Sequence, residues 1–410
     1  MDKLNRNFDI AIIGAGIVGM SVAYELTQRD SSLKIAIFEK ESDIGIHASG
    51  RNSGVLHCGI YYREDSLKAK VCAKGSEMMK SFAKANAVPL FNGGKVIVPS
   101  SEQQVSTLDS LMNNAQKNGV EAYWINEKEL LKLEPYARPV EKAIYCPQTS
   151  VIDNKAVLVA LKKQLIEKGV QFIHQCCILN IQNRKLITTK GHFYYHFLFN
   201  CAGAYADQIA KMEGLANDYT LLPFKGIYYK LSHEIAPQIR SNIYPVPDIS
   251  TPFLGVHFTR SISGDVYVGP TAIPVFGREN YRRLQGIKLH ETSELLFQLM
   301  KLLWSNQNNF RMLAQSEIMK YSKQVFFKNA KKLVPSLKID DLVPSTKAGI
   351  RPQLMNKKNM SLEMDYIFEK TDSSIHILNA ISPAFTSSFA FAEMILNESK
   401  VYEKNESLLV

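Results

Sequence analysis

The tightest constraint on this chain is a run of three glycines close to its N-terminus. Gly14, Gly16 and Gly19 form a G-x-G-x-x-G pattern between the apolar stretch "DIAII" and a stretch at helical spacing, "IVGMSVAYELTQRD". "LKIAIFEK" follows as a second apolar strand, which completes one β-α-β unit. Short apolar runs of this kind suit parallel strands covered on both faces. The first glycine permits the tight turn, the second lets backbone approach a pyrophosphate, and the third lets helix and strand pack closely. The helix start offers unpaired N–H groups and partial positive charge to the phosphates. Glu39 ends the second strand, where a carboxylate can accept hydrogen bonds from ribose hydroxyls. The same segment has basic residues ahead of an apolar run, as a signal peptide does, but its glycines and Glu25 argue for fold rather than address.

FAD and NAD both use this fingerprint, and the rest of the chain favours FAD. A flavin must be held along its whole length, so further contacts are needed beyond the first unit. "SGRNSGVLHCG", which contains Ser49, Arg51, Asn52, Ser53 and Gly54, has side chains small enough to let backbone run beneath a flavin. "FNCAGAYADQIA" places Ala202 and Gly203 at another strand-to-helix turn. "NAISPAFTSS" carries Ala384, Phe385 and Thr386 into a helix whose N-terminus can stabilise negative charge on a reduced flavin.

The expected fold class is α/β, α+β overall: a Rossmann-like FAD-binding domain with an interleaved, mainly antiparallel substrate domain. Residues 1–85, 150–215 and 340–410 are assigned to the first, and 86–149 and 216–339 to the second. "FKGIYYKL", "PFLGVHFTR" and "DVYVGP" read as strands of the antiparallel sheet, and "ETSELLFQLMKLLW" as a helix. "VQFIHQCCILNIQ" reads as strand, with Cys176 and Cys177 in it.

Lys and Arg number 49 against 39 Asp and Glu, a formal charge of +10 that favours acidic partners. No arginine-rich arm or basic-aromatic motif accompanies it, which argues against nucleic acid. The six cysteines form no C-x-x-C, and no metal-binding constellation stands out. Reduced thiols suit the cytoplasm, with peripheral attachment at the inner face of a membrane as the alternative.

Together "ASGRNSGVLHCGIYY", "SLKAKVCAKG", "FKGIYYKL", "GVHFTR", "AGIRPQL" and "SPAFTSS" resemble the L-2-hydroxyglutarate dehydrogenase (oxidase) family of the D-amino-acid-oxidase-like FAD superfamily. The likeness runs from Asp9 to about Glu398. It implies oxidation of a 2-hydroxy dicarboxylate, L-2-hydroxyglutarate, to 2-oxoglutarate with FAD as hydride acceptor at N5. It further implies a quinone or oxygen as reoxidant, membrane association, backbone contacts from Ile178 to adenine, and a place for Arg351 near the flavin ring. Amino-acid or secondary-amine oxidation is the nearest rival within the superfamily. An NAD-dependent dehydrogenase and a nucleotide-binding assembly factor without turnover are the more distant ones.

Such a reaction needs a base for the hydroxyl proton and cations for two carboxylates. His57, beside the flavin loop, is the first candidate base, with covalent flavin linkage or a loop hydrogen bond as competing roles. His257 is the rival, because period two in "FLGVHFT" would put Phe253, Gly255, His257 and Thr259 on one strand face. Arg51, Arg260 and Arg351 are candidates for carboxylate recognition, with Arg63 and Lys225 behind them. Tyr61 and Tyr62 can lend hydroxyls, or pack as core. The "ETSELLFQLMKLLW" helix, with Arg282, Arg283 and Lys288 nearby, either attaches to an anionic bilayer or lies buried between domains.

Overall fold

The computed structural model describes residues 6–248, 253–282, 285–399 and 401. Arg283 lies outside them. The strand Asn7–Ile13 forms the centre of an eight-stranded sheet, parallel to Ile35–Phe38 on one side and to Gly191–Asn200 on the other. Gln171–Ile173 extends the parallel set beyond Ile35–Phe38, and Ser374–Ile377 extends it beyond Gly191–Asn200. The strand's unbroken apolar character has a direct cause. Ile10 and Ile12 face a core shared with the helices Ile17–Arg29, Leu67–Ala85, Asn154–Glu167 and Ala384–Ser399, while Phe8, Ala11 and Ile13 face a second core with Phe38, Phe193 and Leu198.

A ten-stranded sheet, antiparallel except for the pair Lys95–Val98 and Asn242–Pro245, forms the second layer. Its longest pairing joins Tyr219–Leu231 to Leu342–Asn356. Side chains alternate cleanly. Val96, Val98, Ile243, Phe258, Val266 and Val268 pack on one face against Phe326 of the helix Lys323–Lys331. Lys95, Ile97, Tyr244 and His257 therefore point to the opposite face. A three-stranded sheet of Val55–Leu56, Ser150–Ile152 and Leu90–Phe91 lies between.

The mixed α/β class is as expected, but several details differ. Residues 342–356, assigned from sequence to the FAD-binding domain, run in the larger sheet, because their edge is satisfied by Tyr219–Leu231. Cys176 and Cys177 fall in the connection between Gln171–Ile173 and Ile178–Gln182, where Gln175 takes a φ of +49° and turns the chain. The strand expected across 253–259 begins only at His257, since the Gly255 carbonyl turns back to accept from the His257 ring.

Where the second layer reaches over the first, Arg278 is tied to Asp207 of the short helix Ala206–Lys211. The fork is bidentate, at 2.6 and 3.0 Å, with Arg278 3% and Asp207 0% exposed. Asp207 also accepts from the Leu221 N–H and Arg278 also donates to the Ala204 carbonyl, while Arg278 Nε has no hydrogen-bond partner among the described residues and faces Glu291 at 3.6 Å. No helix among the described residues is long and apolar enough to cross a membrane. Lys211 lies 3.9 Å from Asp207 and Glu291 3.6 Å from Arg278, so removing one partner leaves the other charge buried with only a longer ion pair. Arg278→Met is expected to lower the unfolding free energy by about 3–5 kcal/mol in urea titrations. Arg278→Met/Asp207→Leu is expected to recover most of that loss.

Candidate active site

The glycine turn takes the shape that its sequence implies. Gly14 has a φ of +104°, and a Cβ there would sit 2.5 Å from the Cys201 carbonyl oxygen. A Cβ on Gly19 would strike the Gly14 carbonyl. At Gly16 only Ser49 Oγ lies close, 3.0 Å from where a Cβ would be, so the backbone there is open to a ligand. Ser49 Oγ accepts from the Ile17 N–H at 2.9 Å, which ties the loop to the first free donor of the helix. The Glu39 carboxylate accepts from the N–H groups of Ala15 and Glu41, both at 2.9 Å, and so stands beside the turn. Cys176 N–H donates to the Glu39 carbonyl and thereby brings the start of Ile178–Gln182 to the same edge. Ala202 and Gly203 follow Cys201 on the neighbouring strand, Gly203 with a φ of +56° and nothing within 4 Å of its missing side chain.

The loop from Ser49 is held by its own polar groups. Asn52 donates to the Ser49 carbonyl at 2.7 Å and accepts from the Gly54 N–H at 2.8 Å. Ser53 Oγ lies 3.4 Å from the Val55 N–H. Gly54, with a φ of +77°, passes against the Ile152 carbonyl. Thr386, in the first turn of Ala384–Ser399, accepts from the His57 N–H and donates to the Val55 carbonyl, each at 3.2 Å. The N-terminus of that helix, with Ala384 and Phe385, is thus fastened next to His57. These residues fit FAD: glycine backbone open to a pyrophosphate, a carboxylate at the ribose position, and a helix start at the far end.

Around His57 the two layers bring together His257, Lys95 and Arg351. Burial pushes the His57 imidazole down to about 3, and the charges of Lys95, His257 and Arg351 add in the same direction. Burial likewise takes His257 down to about 4 against the upward pull of its bond to Gly255, with Arg351 and Lys95 adding to the fall. His257 Nδ1 lies 2.8 Å from the Gly255 carbonyl oxygen. A carbonyl can only accept, so Nδ1 carries the hydrogen and Nε2 the lone pair. Tyr244 packs on the His257 ring, 4.1 Å between centroids. Arg351 lies over the Phe253 ring, and burial pushes its guanidinium down. The carboxylate whose charge reaches it, Glu317, is already held by Lys320 and the Ala272 N–H. Among the described residues the buried polar atoms His57 Nδ1 and Tyr61 Oη have no hydrogen-bond partner, and Tyr244 Oη has none within hydrogen-bond geometry, Thr259 being the hydroxyl close enough to act on it. The result is a cationic recess with unsatisfied polar atoms, suited to an anionic polar ligand.

Other candidates stand apart from this recess. Arg260 follows Thr259 onto the opposite side of its strand and donates to the Ile239 carbonyl at 2.7 Å. Arg51 donates to the Ile46 carbonyl and stacks on Tyr281, 4.2 Å from ring centre. Arg63 is exposed and paired with Asp65. Lys225 sits beside Arg351 in the sheet register, next to Phe224. Tyr62 is under Lys68, 5.8 Å from its ammonium. Among the described residues, Glu41, His47 and Glu279 could hold a metal, but the Lys40 ammonium hydrogen-bonds all three. Sequence reasoning missed Lys95 and Tyr244. The signal for Lys95 was a lone lysine inside the apolar run "KVIV".

A family model described as FAD dependent oxidoreductase matches residues 9–397. An L-2-hydroxyglutarate dehydrogenase from Indibacter alkaliphilus is 37% identical, over 94% of this chain and 96% of its own. The human mitochondrial L-2-hydroxyglutarate dehydrogenase is 32% identical, over 96% of this chain and 88% of its own. The fold matches a dithionite-reduced, FAD-bound L-α-glycerophosphate oxidase from Mycoplasma pneumoniae with a TM-score of 0.77, at 22% identity over 96% of this chain and 95% of that one. With a family match across nearly the whole length and relatives above 30% identity, the chain belongs to the FAD-dependent oxidoreductases and, within them, to the L-2-hydroxyglutarate dehydrogenase family.

Proposed function

We propose that this chain oxidises L-2-hydroxyglutarate to 2-oxoglutarate with FAD as its cofactor. The observation that carries the reading is the buried recess in which Arg351, Lys95 and two neutral imidazoles meet beside the flavin loop. Bound FAD supplies the hydride acceptor, its N5 atom. Gly14, Gly16, Glu39, Ser49, Asn52, Ser53, Gly54, Ala202 and Gly203 would hold the dinucleotide, with Ile178 on the adenine side and the N-terminus of Ala384–Ser399 at the flavin end. The FAD-binding unit then comprises 1–85, 150–215 and the chain after about 363, and the substrate unit the rest.

Arg351 takes one substrate carboxylate, a role for which its guanidinium is free of any carboxylate partner within ion-pair distance among the described residues. The Tyr61 and Tyr244 hydroxyls offer hydrogen bonds to the other. His257 is the base for the C2 hydroxyl proton, because its bond to Gly255 leaves the Nε2 lone pair available. His57 takes a different part. An orphaned buried acceptor costs less than an orphaned donor, so its partnerless Nδ1 is the lone-pair nitrogen and Nε2–H donates to the substrate. The two electrons leave to a quinone or to oxygen.

Peripheral attachment belongs to the same proposal. The helix Leu289–Ser305 buries Leu295 and Leu302 but leaves Leu289 89% and Trp304 83% exposed, with Phe297 and Met300 on the surface as well. Met312, Ile318 and Met319 of Phe310–Met319 continue the apolar surface, and Lys301 and Arg311 border it. Apolar side chains bordered by cations suit an anionic bilayer surface.

Four outcomes are expected. L-2-hydroxyglutarate bleaches the flavin of purified protein without oxygen, whereas bleaching by amino acids or secondary amines alone overturns the substrate. In the same assay His257→Gln loses about 10²–10⁴ in kcat/KM with flavin absorbance retained, and His57→Gln, which keeps an N–H donor, loses less. Because both imidazoles stay neutral well below the usual histidine value, kcat/KM shows no acid limb near pH 6.5 and falls only toward about 4. Leu289→Ser/Met300→Ser/Trp304→Ser reduces co-sedimentation with phosphatidylglycerol vesicles about tenfold or more, and unchanged partitioning removes this helix as the attachment surface.

A further inference from the structure

Lys95 opens an interior strand of the ten-stranded sheet, third from one edge, next to Asn242 on one neighbouring strand and Cys146 on the other. It is completely buried. Its ammonium is 4.0 Å from Cys58 Sγ, 4.2 Å from the centre of the Tyr61 ring and 5.4 Å from that of Tyr244. The groups that act on its charge are Cys58, Cys146, Cys72 and Tyr244, with no carboxylate among them. A buried ammonium needs a counter-charge or must give up its proton. The aromatic faces of Tyr61 and Tyr244 favour keeping it charged. The neighbours able to ionise in response are thiols and phenols, and a thiol is the more acidic of the two. Cys58 is the thiol in contact.

We infer that Lys95 and Cys58 form a buried ammonium–thiolate pair, with Cys146 as the thiol that donates to Cys58, and that the Lys95 end of this pair adds to burial in keeping His57 and His257 neutral for turnover. The proton passes from Cys58 Sγ to Nζ, and no outside reactant is needed. The pair is a positioning device: Lys95 faces Cys58 at 4.0 Å and acts on the two imidazoles through its charge, with no substrate contact proposed for either residue. Cys58 is pulled well below the usual thiol range by the Cys146 hydrogen bond and the Lys95 charge, against burial, while Cys146 is pushed up. Tyr61 and Tyr62 are held up by burial, so they stay phenols beside it. Cys72 is likewise pushed up by burial, so it stays a thiol. His57, one residue from Cys58, faces Lys95, His257 and Arg351 from three strands of the sheet, and each of these lowers its proton affinity.

The positioning role rests on the proposed base, whereas the pair itself does not, and the test separates them. The ultraviolet difference spectrum between neutral and acid pH is recorded on the FAD-loaded protein, on Cys58→Ser and on Lys95→Met. One thiolate's absorbance is expected at pH 7 in the parent and in neither variant. An equal spectrum in parent and Cys58→Ser overturns the pair, whatever the substrate proves to be. Should either single variant fail to fold, Lys95→Met/Cys58→Ala, which removes both charges, is expected to fold and to lack the band. The acid limb of kcat/KM is expected to move up by about one pH unit in Lys95→Met, with kcat at its plateau changed less than the limb. An unmoved limb with the thiolate present overturns the positioning role and leaves the pair.

Discussion

The structure depends on one crowded turn. At Gly14 the chain leaves its central strand with the N–H bonded to the Phe38 carbonyl, while Cys201 N–H reaches the Ile13 carbonyl from the other side. Three parallel strands end together there, and no side chain fits between them. Because the turn is that tight, the following helix starts where Ser49 can reach its first donor. Ser49 in turn fixes the loop through Asn52 and Gly54, and the loop delivers His57 to the start of Ala384–Ser399. A glycine-sized space at residue 14 thus decides where an imidazole stands more than forty residues later.

The recess is governed by an imbalance of charge. Arg351 and the two histidines are buried where no carboxylate among the described residues is spare; burial first, and then the neighbouring charges, keep the proton off each imidazole and leave the positive potential for an anionic ligand. A dicarboxylate bound there, as proposed, would relieve an electrostatic cost that the folded protein already carries. The two histidines are held differently. Gly255 sets the tautomer of His257 through a single carbonyl, whereas His57 has its backbone fastened and its Nδ1 left alone.

What could be read from the sequence follows from which forces are local. Glycine spacing, an apolar strand and the acidic residue at its end act within one β-α-β unit, so the dinucleotide fold was legible. Short motifs singled out Arg351 and His57, and the fold brings both to one buried recess. Arg260 was not placed correctly, because strand alternation turned it toward Ile239. Lys95 and Tyr244 could not be read, since their meaning comes from a parallel pairing between segments far apart in the chain. The Arg278–Asp207 fork was hidden for the same reason. The place of 342–356 in the larger sheet was not legible, because it comes from a long pairing with Tyr219–Leu231, a segment over a hundred residues earlier.

One feature of the smaller sheet reaches beyond the static fold. Ser374–Ile377 supplies an outer parallel strand, and Ala384–Ser399 packs on both Ile17–Arg29 and Leu67–Ala85. A segment more than 350 residues from the nucleotide turn in sequence thus covers apolar faces of both helices. Without it, Val22, Leu26, Val71 and Met79 would lose part of their packing, and the unit would be closed only by contacts of high sequence separation. The stability of the nucleotide fold is therefore a property of distant segments joined, not of its opening β-α-β unit alone.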